Sequence, residues 1–126
     1  MDNQKMEKRE AMRRKNQLYR VADLNNGNTH FSNINAAKDV WWFDIPLKKV
    51  NAGAERILHL LLYDHRSKEL HHLRVPTTYI RENLSRLVIR GEKETISLEL
   101  STDRSNLFQD VRPTAGGVRF GQFLVS

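Results

Sequence analysis

The chain has 126 residues and no cysteine. Without thiols it can form no disulfide, no zinc–thiolate site and no thiol nucleophile. Long apolar segments are also missing, because the longest unbroken apolar runs, residues 40–43 and 60–63, have four residues each. A membrane helix needs about 20 apolar residues, and a signal-peptide core needs roughly 7–15. We therefore expect a cytoplasmic protein of single-domain size that does not enter a membrane.

Common catalytic signatures are absent from the sequence. It contains no GxSxG, GxxxxGKS/T, HExxH or GxGxxG pattern, and no Glu-x-Lys tripeptide of the kind that many nucleases carry on a strand. Active sites need not be contiguous in sequence, so these absences disfavour an enzyme without excluding one. We predict no catalytic residue, no metal ligand and no cofactor.

The net charge of +6 is concentrated near the N-terminus. Residues 1–20 hold seven Lys or Arg and three acidic residues, a net charge of +4, whereas the rest of the chain carries only +2. Residues 1–17 contain no Gly, Pro or β-branched residue and favour a helix. The apolar face of that helix is thin. We expect residues 1–17 to form a mobile basic helix or arm, whose deletion leaves intact one globular domain over residues 18–126.

Beyond the arm, the pattern of apolar and turn residues predicts mainly strands. Stretches with strand character, outside the hairpin described next, lie at residues 18–24, 40–50, 87–90, 94–101 and 118–125. Pro46 removes a ladder donor and should lie at an edge or a bulge. A short helix is predicted at about residues 78–87. The sequence thus predicts an α+β fold with a mainly antiparallel sheet of five to seven strands, one short internal helix and a basic N-terminal helix or arm.

Residues 58–76 contain four of the five histidines and have the pattern of one β-hairpin. Opposite residues of an antiparallel pair lie on the same face, so the register decides which side chains share a side. We predict the parity that gives one apolar face, with Leu58, Leu60, Leu62, His71, Leu73 and Val75. A four-residue loop at 66–69 is favoured, because a tighter loop sets Asp64 opposite Glu69, and like charges destabilise such a pair.

The other face of this hairpin carries a mixture of apolar, aromatic and cationic side chains, namely Ile57, His59, Leu61, Tyr63, Leu70, His72 and Arg74. Such a surface suits nucleic acid, because rings stack on bases and cations meet phosphates. It equally suits a second face packed under a helix, with imidazoles at its margin. His59 and His72 form the only imidazole pair that can share this face, and no acidic residue there supplies a third metal ligand.

Two smaller features allow structural predictions. Gly116 and Gly117 are compatible with a flexible anion-binding loop or with a turn before the last strand. In residues 94–101, Ile96, Leu98 and Leu100 alternate with polar residues, so we expect one core face and one solvent face, with Glu99 on the solvent side.

Three functions remain open. The leading hypothesis is a small nucleic-acid-binding module, in which the arm, the mixed sheet face and the hairpin tip contact phosphates. Its predicted site comprises Lys8, Arg9, Arg13, Arg14, Lys15, His59, Tyr63, Arg66, Lys68, His72 and Arg74. The alternative is a protein-interaction or homo-oligomeric assembly domain, with Trp41, Trp42 or Phe43 as anchors. The third is a metal-dependent phosphodiesterase or nuclease that uses His59 and His72.

Overall fold

The computed structural model describes residues 5–19, 24–51 and 54–125, with only the backbone of residue 19. Within these residues the chain forms two α-helices and six β-strands. In chain order they are α1 (Lys8–Tyr19), β1 (Thr29–Asn35), β2 (Val40–Pro46), β3 (Ile57–Asp64), β4 (Glu69–Pro76), α2 (Thr77–Glu82), β5 (Val88–Arg90) and β6 (Thr95–Ser101). Short 3₁₀ helices lie at Leu47–Lys49, Leu84–Arg86, Arg104–Asn106 and Gly121–Phe123.

The six strands of the described residues form one sheet in the order β4-β3-β1-β2-β6-β5. Neighbouring strands are antiparallel except β1 and β3, which run parallel. The pairing of β1 with β2 involves only Ile34 with Trp41 and Asn35 with Val40, so the two halves of the sheet join at one end of these strands. The predicted α+β class, with a mainly antiparallel sheet of five to seven strands, is confirmed.

The parity predicted for the β3–β4 hairpin is confirmed, because Leu60 lies opposite Leu73 and both are fully buried. The favoured loop is wrong, since the ladder continues until Asp64 lies opposite Glu69. Arg66 explains why this pair is tolerated. Its backbone N–H and its Nε donate to the Asp64 carboxylate at 2.8 and 3.1 Å, which offsets the repulsion from Glu69.

The leucine face of the sheet forms the main core together with the inward residues of β2 and β6. Trp41 is held there from two sides. Its Nε1 donates to the carbonyl oxygen of Tyr63 at 3.1 Å, and its ring meets the ring of His71 edge-on, with 5.6 Å between centroids. Ile80 from α2 and Phe120 from the C-terminal segment are buried in the same core. This face is therefore covered by α2 and the C-terminal segment.

The C-terminal segment covers the core without the predicted strand at residues 118–125, so that prediction is wrong. Val118 and Phe120 are buried, but two isolated bridges, Gln109 with Arg119 and Leu73 with Leu124, and the 3₁₀ helix Gly121–Phe123 take the place of a ladder. Neither face of this stretch is purely apolar in sequence. Alternation of that kind does not favour one sheet register, and two buried side chains fix the segment instead.

Other predicted boundaries also differ from the structure. Pro46 is an exception: it ends β2 opposite Thr95 of β6, and β1 pairs with β2 only at Val40 and Trp41, so on the β1 side Pro46 lies at a local edge of the described sheet, as expected. The missing N–H of Pro46 removes no bond to β6, because the next residue, Leu47, donates its N–H to the carbonyl oxygen of Glu94 at 3.0 Å before the chain enters a 3₁₀ helix. The helix predicted at about residues 78–87 is shorter, since α2 ends at Glu82. Of the strand predicted at residues 18–24, residues 18 and 19 belong to α1, and residues 20–23 lie outside the described residues.

Helix α1 packs on the opposite face of the sheet. Met6 and Ala11 are buried together with Leu61 of β3. The side chain of Asn33 on β1 fixes the start of this segment, because it accepts from the N–H of Met6 and donates to its carbonyl oxygen, both at 2.9 Å. Ala11 is small enough for the helix to approach the sheet closely. The described part of the predicted arm is therefore docked, and its thin apolar face is sufficient for that contact.

We predict that Ala11→Lys lowers the free energy of unfolding by about 2–3 kcal/mol, because it forces a long charged side chain into the dry contact between α1 and the sheet. Leu18→Lys is the matched control, since it places the same residue on the same helix where the side chain is 61 % exposed. It should change stability by less than about 1 kcal/mol. Urea unfolding followed by circular dichroism measures both effects. Equal losses would contradict the docking of α1.

Candidate functional site

The sheet face that the sequence analysis assigned to nucleic acid is covered by α1. His59 and His72 are only 6 % and 2 % exposed, and Tyr63 is partly buried in the cluster beneath the helix. The expectation of an open stacking surface is therefore wrong. The other interpretation, a face packed under a helix, describes the structure, and the helix is the predicted basic arm itself.

The two imidazoles form a buried polar cluster with Lys15 of α1. The Nδ1 of His59 and the Nε2 of His72 are 2.9 Å apart, a distance at which one neutral ring donates to the other. Burial, followed by the charges of His59, Lys15 and Arg74, lowers the pKa of His72 to about 4. Burial also lowers the pKa of Lys15, which is 6 % exposed. Because these groups lie inside the contact between helix and sheet, they give no support to a nuclease that uses the two histidines.

The cations of α1 are only partly available to a partner. Glu10 binds Arg13 at 2.6 Å and Arg14 at 2.8 Å, and these hydrogen bonds lower the pKa of Glu10 to about 2. Arg9 is exposed, whereas Lys8 is partly buried, which lowers the pKa of its ammonium. The outer side of α1 therefore carries positive charge that one carboxylate partly offsets.

The tip of the hairpin holds Arg66 between two carboxylates. Its Nη1 lies 2.6 Å from Asp39, and its Nε lies 3.1 Å from Asp64. Such surface pairs add little to stability, but they offset the charge of Arg66. Lys68 is exposed at the same tip. Arg74 lies near the other end of β4, roughly 17 Å of strand away, so the predicted tip residues and Arg74 do not share a surface.

Arg74 instead lines a concavity of about 850 Å³ with two arginines that the sequence analysis did not select, Arg56 and Arg81. Arg56 directly precedes β3, Arg74 lies near the end of β4, and Arg81 lies in the last turn of α2. Glu55 is the one acidic residue among the described lining residues, which gives the lining a net charge of +2. We call the concavity lined by these four residues the arginine cleft.

Hydrogen bonds at Thr77 keep the arginine cleft in shape. The N–H of Thr77 donates to the carbonyl oxygen of Arg56 at 3.0 Å, and its hydroxyl donates to that of Glu55 at 2.8 Å. Arg81 donates from Nη1 to the carbonyl oxygen of Val50 at 2.8 Å, which fixes one side of its guanidinium. The strand end, the loop before β3 and α2 are thereby joined around the cleft.

The predicted parity of the hairpin is sufficient to locate Arg56 and Arg81, the two arginines that the predicted site lacks. Because Ile57 pairs with Pro76, Arg56 falls beside Thr77, the first residue of α2. Arg81 follows about one helical turn later. The faces of the two strands predict only Arg74, because Arg56 and Arg81 lie beyond the strand ends.

Three guanidinium groups around one concavity suit a polyanion. Each guanidinium presents N–H donors in a planar fork that matches two oxygens of a phosphate. The positive lining attracts anions from within roughly a Debye length, about 8 Å at physiological ionic strength. The arginine cleft therefore has the donor groups and the positive charge that a phosphate-bearing ligand requires.

The predicted protein-contact anchors have different environments. Trp41 and Phe43 are buried in the core, whereas Trp42 is 45 % exposed. Near it, Glu99 does not face solvent freely as expected, because it forms an ion pair with Arg112 at 3.2 Å and its side chain is 12 % exposed. Trp42 is thus the accessible member of the three anchors.

The two adjacent glycines form a tied turn and not a flexible anion-binding loop. The N–H of Gly116 donates to the carbonyl oxygen of Arg86 at 2.7 Å, and the Nη2 of Arg86 donates back to that of Gly116 at 2.6 Å. Gln109 donates to the carbonyl oxygen of Gly117 at 3.2 Å. Gly117 has φ +73°, a conformation that glycine adopts without strain.

Among the described residues, no three His, Asp or Glu side chains come together in a way that could hold a metal ion. None of the helices in the described part of the chain combines the length and apolar character needed to cross a bilayer. No family model, curated protein or solved structure matches this chain. The function of the candidate site must therefore be inferred from the residues of this chain alone.

We predict that stability falls as the pH is lowered from about 6.5 towards 4. His72 takes up a proton near its ordinary value of 6.5 in the unfolded chain, but only near 4 in the folded protein. The stabilisation is complete above this window and is lost within it, because the unfolded state then binds more protons. For His72 the loss is on the order of 3 kcal/mol.

Urea unfolding at about pH 7 and about pH 4.5 measures this loss. Burial lowers the pKa of His30 to about 4 as well, so part of the acid sensitivity should persist without His72. His72→Gln should reduce the difference between the two pH values. An unchanged difference in this variant would show that His72 is not a cause.

Proposed function

We propose that this protein is a small nucleic-acid-binding module whose arginine cleft binds the phosphate backbone. The observation that carries the proposal is the convergence of Arg56, Arg74 and Arg81, from three different elements, on one concavity with a single described carboxylate. Arginine–phosphate contacts are charge-assisted and frequently bidentate, which gives them both energy and orientation. Phosphate contacts also supply most of the affinity in sequence-independent binding.

The rest of the surface supports this proposal through its charge. The exposed Arg9 of α1 and Lys68 at the hairpin tip add positive potential at other places on the molecule. Such dispersed charges raise the rate of encounter with a polyanion without fixing its position. The cleft therefore provides the defined contact, and the other cations provide long-range attraction.

The proposed mode differs from the one expected from sequence. Bases do not stack on the β3–β4 face, because α1 covers His59, His72 and Leu61 there. Contacts in the arginine cleft are made to phosphates, which carry no sequence information directly. We therefore expect binding with little sequence preference and with similar affinity for DNA and RNA of the same length. We expect this binding to take place in the cytoplasm.

We predict that affinity for a duplex of about 12 base pairs falls steeply between about 50 and 200 mM NaCl, because bound phosphates release counterions. Arg56→Ala and Arg74→Ala should each weaken binding roughly threefold to tenfold and reduce the slope of log K against log salt concentration by about 1. Both side chains are exposed, so the urea midpoint should not change. Fluorescence anisotropy of a labelled duplex measures the affinity.

Arg104→Ala is the matched control for this experiment. Arg104 is also exposed, lies in the 3₁₀ helix Arg104–Asn106, and does not line the cleft. The variant removes the same charge and should leave the slope unchanged. Equal losses for Arg104→Ala and Arg74→Ala would show that binding follows net charge and not the cleft. A protein that binds no oligonucleotide at about 50 mM salt would overturn the function and favour the assembly alternative, which sedimentation would then test.

A further inference from the structure

Trp42 lies on the part of the outer sheet face beyond α1. The helix packs over β1, β3 and β4, and Trp42 on β2 is 45 % exposed on the same side of the sheet. The indole Nε1 donates to the hydroxyl oxygen of Ser97 on β6 at 3.1 Å, and Ser97 is fully buried. One edge of the ring is therefore anchored on the neighbouring strand, while part of the ring surface remains open to solvent.

Polar and charged groups surround this ring. Trp42 lines a recess of about 280 Å³ with Asn35, Lys38, Val40, Glu99 and Arg112. Arg112 and Glu99 form an ion pair at 3.2 Å, and Lys38 is exposed at the rim. The lining has a net charge of +1. We call this concavity the Trp42 recess.

Asp110 positions Arg112 at the recess. The carboxylate of Asp110 is buried and accepts from the N–H groups of Glu99 at 3.1 Å and of Arg112 at 3.3 Å. The N–H of Val111 donates to the carbonyl oxygen of Glu99 at 2.8 Å. These bonds hold residues 110–112 along β6, so the backbone that carries the guanidinium is in place before a ligand arrives.

We propose that the Trp42 recess binds an unpaired nucleobase, which stacks on the indole of Trp42 while Lys38 contacts the adjoining phosphate. Asn35 and the Glu99–Arg112 pair offer both hydrogen-bond donors and acceptors to the edge of the base. This inference rests on the proposed nucleic-acid function and extends it. In this arrangement the Trp42 recess binds single strands only. The arginine cleft binds the phosphate backbone of single strands and of duplexes.

The surroundings of Trp42 favour a base over a protein partner. A protein hot spot is typically a side chain that fills a well-packed pocket of the partner, inside a rim that excludes water. Trp42 instead lines a small concavity of its own surface, with its polar edge already bonded to Ser97. An aromatic face beside a net positive charge is the combination that single-stranded nucleic acid uses, because every base has a stacking face and every nucleotide a phosphate.

The test compares three probes on the whole protein at low salt. They are an oligo(dT) strand of about 12 nucleotides, an abasic strand with the same number of phosphates, and a duplex of the same length. We expect the oligo(dT) strand to bind on the order of tenfold more tightly than the abasic strand. Trp42→Leu keeps an apolar side chain without a stacking face and should abolish this difference, whereas Trp42→Phe should keep most of it.

Tryptophan fluorescence gives a second readout. Trp41 is 1 % exposed, so quenching by oligo(dT) should come from Trp42 and disappear in Trp42→Phe. Equal urea midpoints for the Phe and Leu variants would show that both are folded. If one variant unfolds, the comparison of oligo(dT) with the abasic strand on the unsubstituted protein still decides the matter.

Two results would overturn the inference, and they can be told apart. Equal affinity for oligo(dT) and the abasic strand, or an unchanged difference in Trp42→Leu, would exclude a base at Trp42 and leave the arginine cleft standing. Failure of all three probes to bind would overturn the nucleic-acid function together with this inference. A change of oligomeric state in Trp42→Leu, with oligonucleotide binding unaltered, would assign the ring to a protein contact instead.

Discussion

Leu60 of β3 lies directly opposite Leu73 of β4, and this register decides how both faces of the sheet are used. Side chains alternate along a strand, so the pairing that gathers the leucines on one face leaves His59, Leu61 and His72 on the other. A shift of β4 by one residue would place His72 and Arg74 on the same face as the leucines of β3. The same register brings the chain before β3 beside the start of α2, where the arginine cleft forms. The core, the helix-covered face and the cleft therefore depend on one pairing.

The face with the imidazoles needs a cover that is neither fully apolar nor fully polar. Helix α1 meets this need because Ala11 lets it approach closely, and because Lys15, itself buried, brings its charge near His72. Asn33 satisfies the backbone of Met6, two residues before the helix begins. The basic N-terminal segment and the β3–β4 face, each of which the sequence suits to nucleic acid, thus pack against each other. The packing removes apolar surface of both the helix and the sheet face from water, which stabilises the fold.

Features that depend on one buried face could be predicted from the sequence, and these include β6 and the hairpin parity. Features that depend on distant segments could not. The polar sequence of β1 predicts no strand, but β1 lies inside the sheet, where the N–H of Met6 donates to the side chain of Asn33. The register at the hairpin loop differs from the prediction because Arg66 binds Asp64, which lowers the cost of placing Asp64 opposite Glu69. The arginine cleft escaped prediction for the same reason, since three separate elements contribute its guanidinium groups.

Charge along the chain is a poor guide to charge on the surface of this fold. Most of the net charge belongs to residues 1–20, but folding buries Lys15 and sets Arg13 and Arg14 against Glu10. The remaining chain is nearly neutral in sequence, and folding nevertheless collects three of its arginines around the arginine cleft. Exposed charges are screened beyond about 8 Å at physiological ionic strength, so a phosphate responds to that local arrangement. The described part of the most basic segment is therefore docked on the sheet, and the nearly neutral part of the chain contributes the three arginines of the cleft.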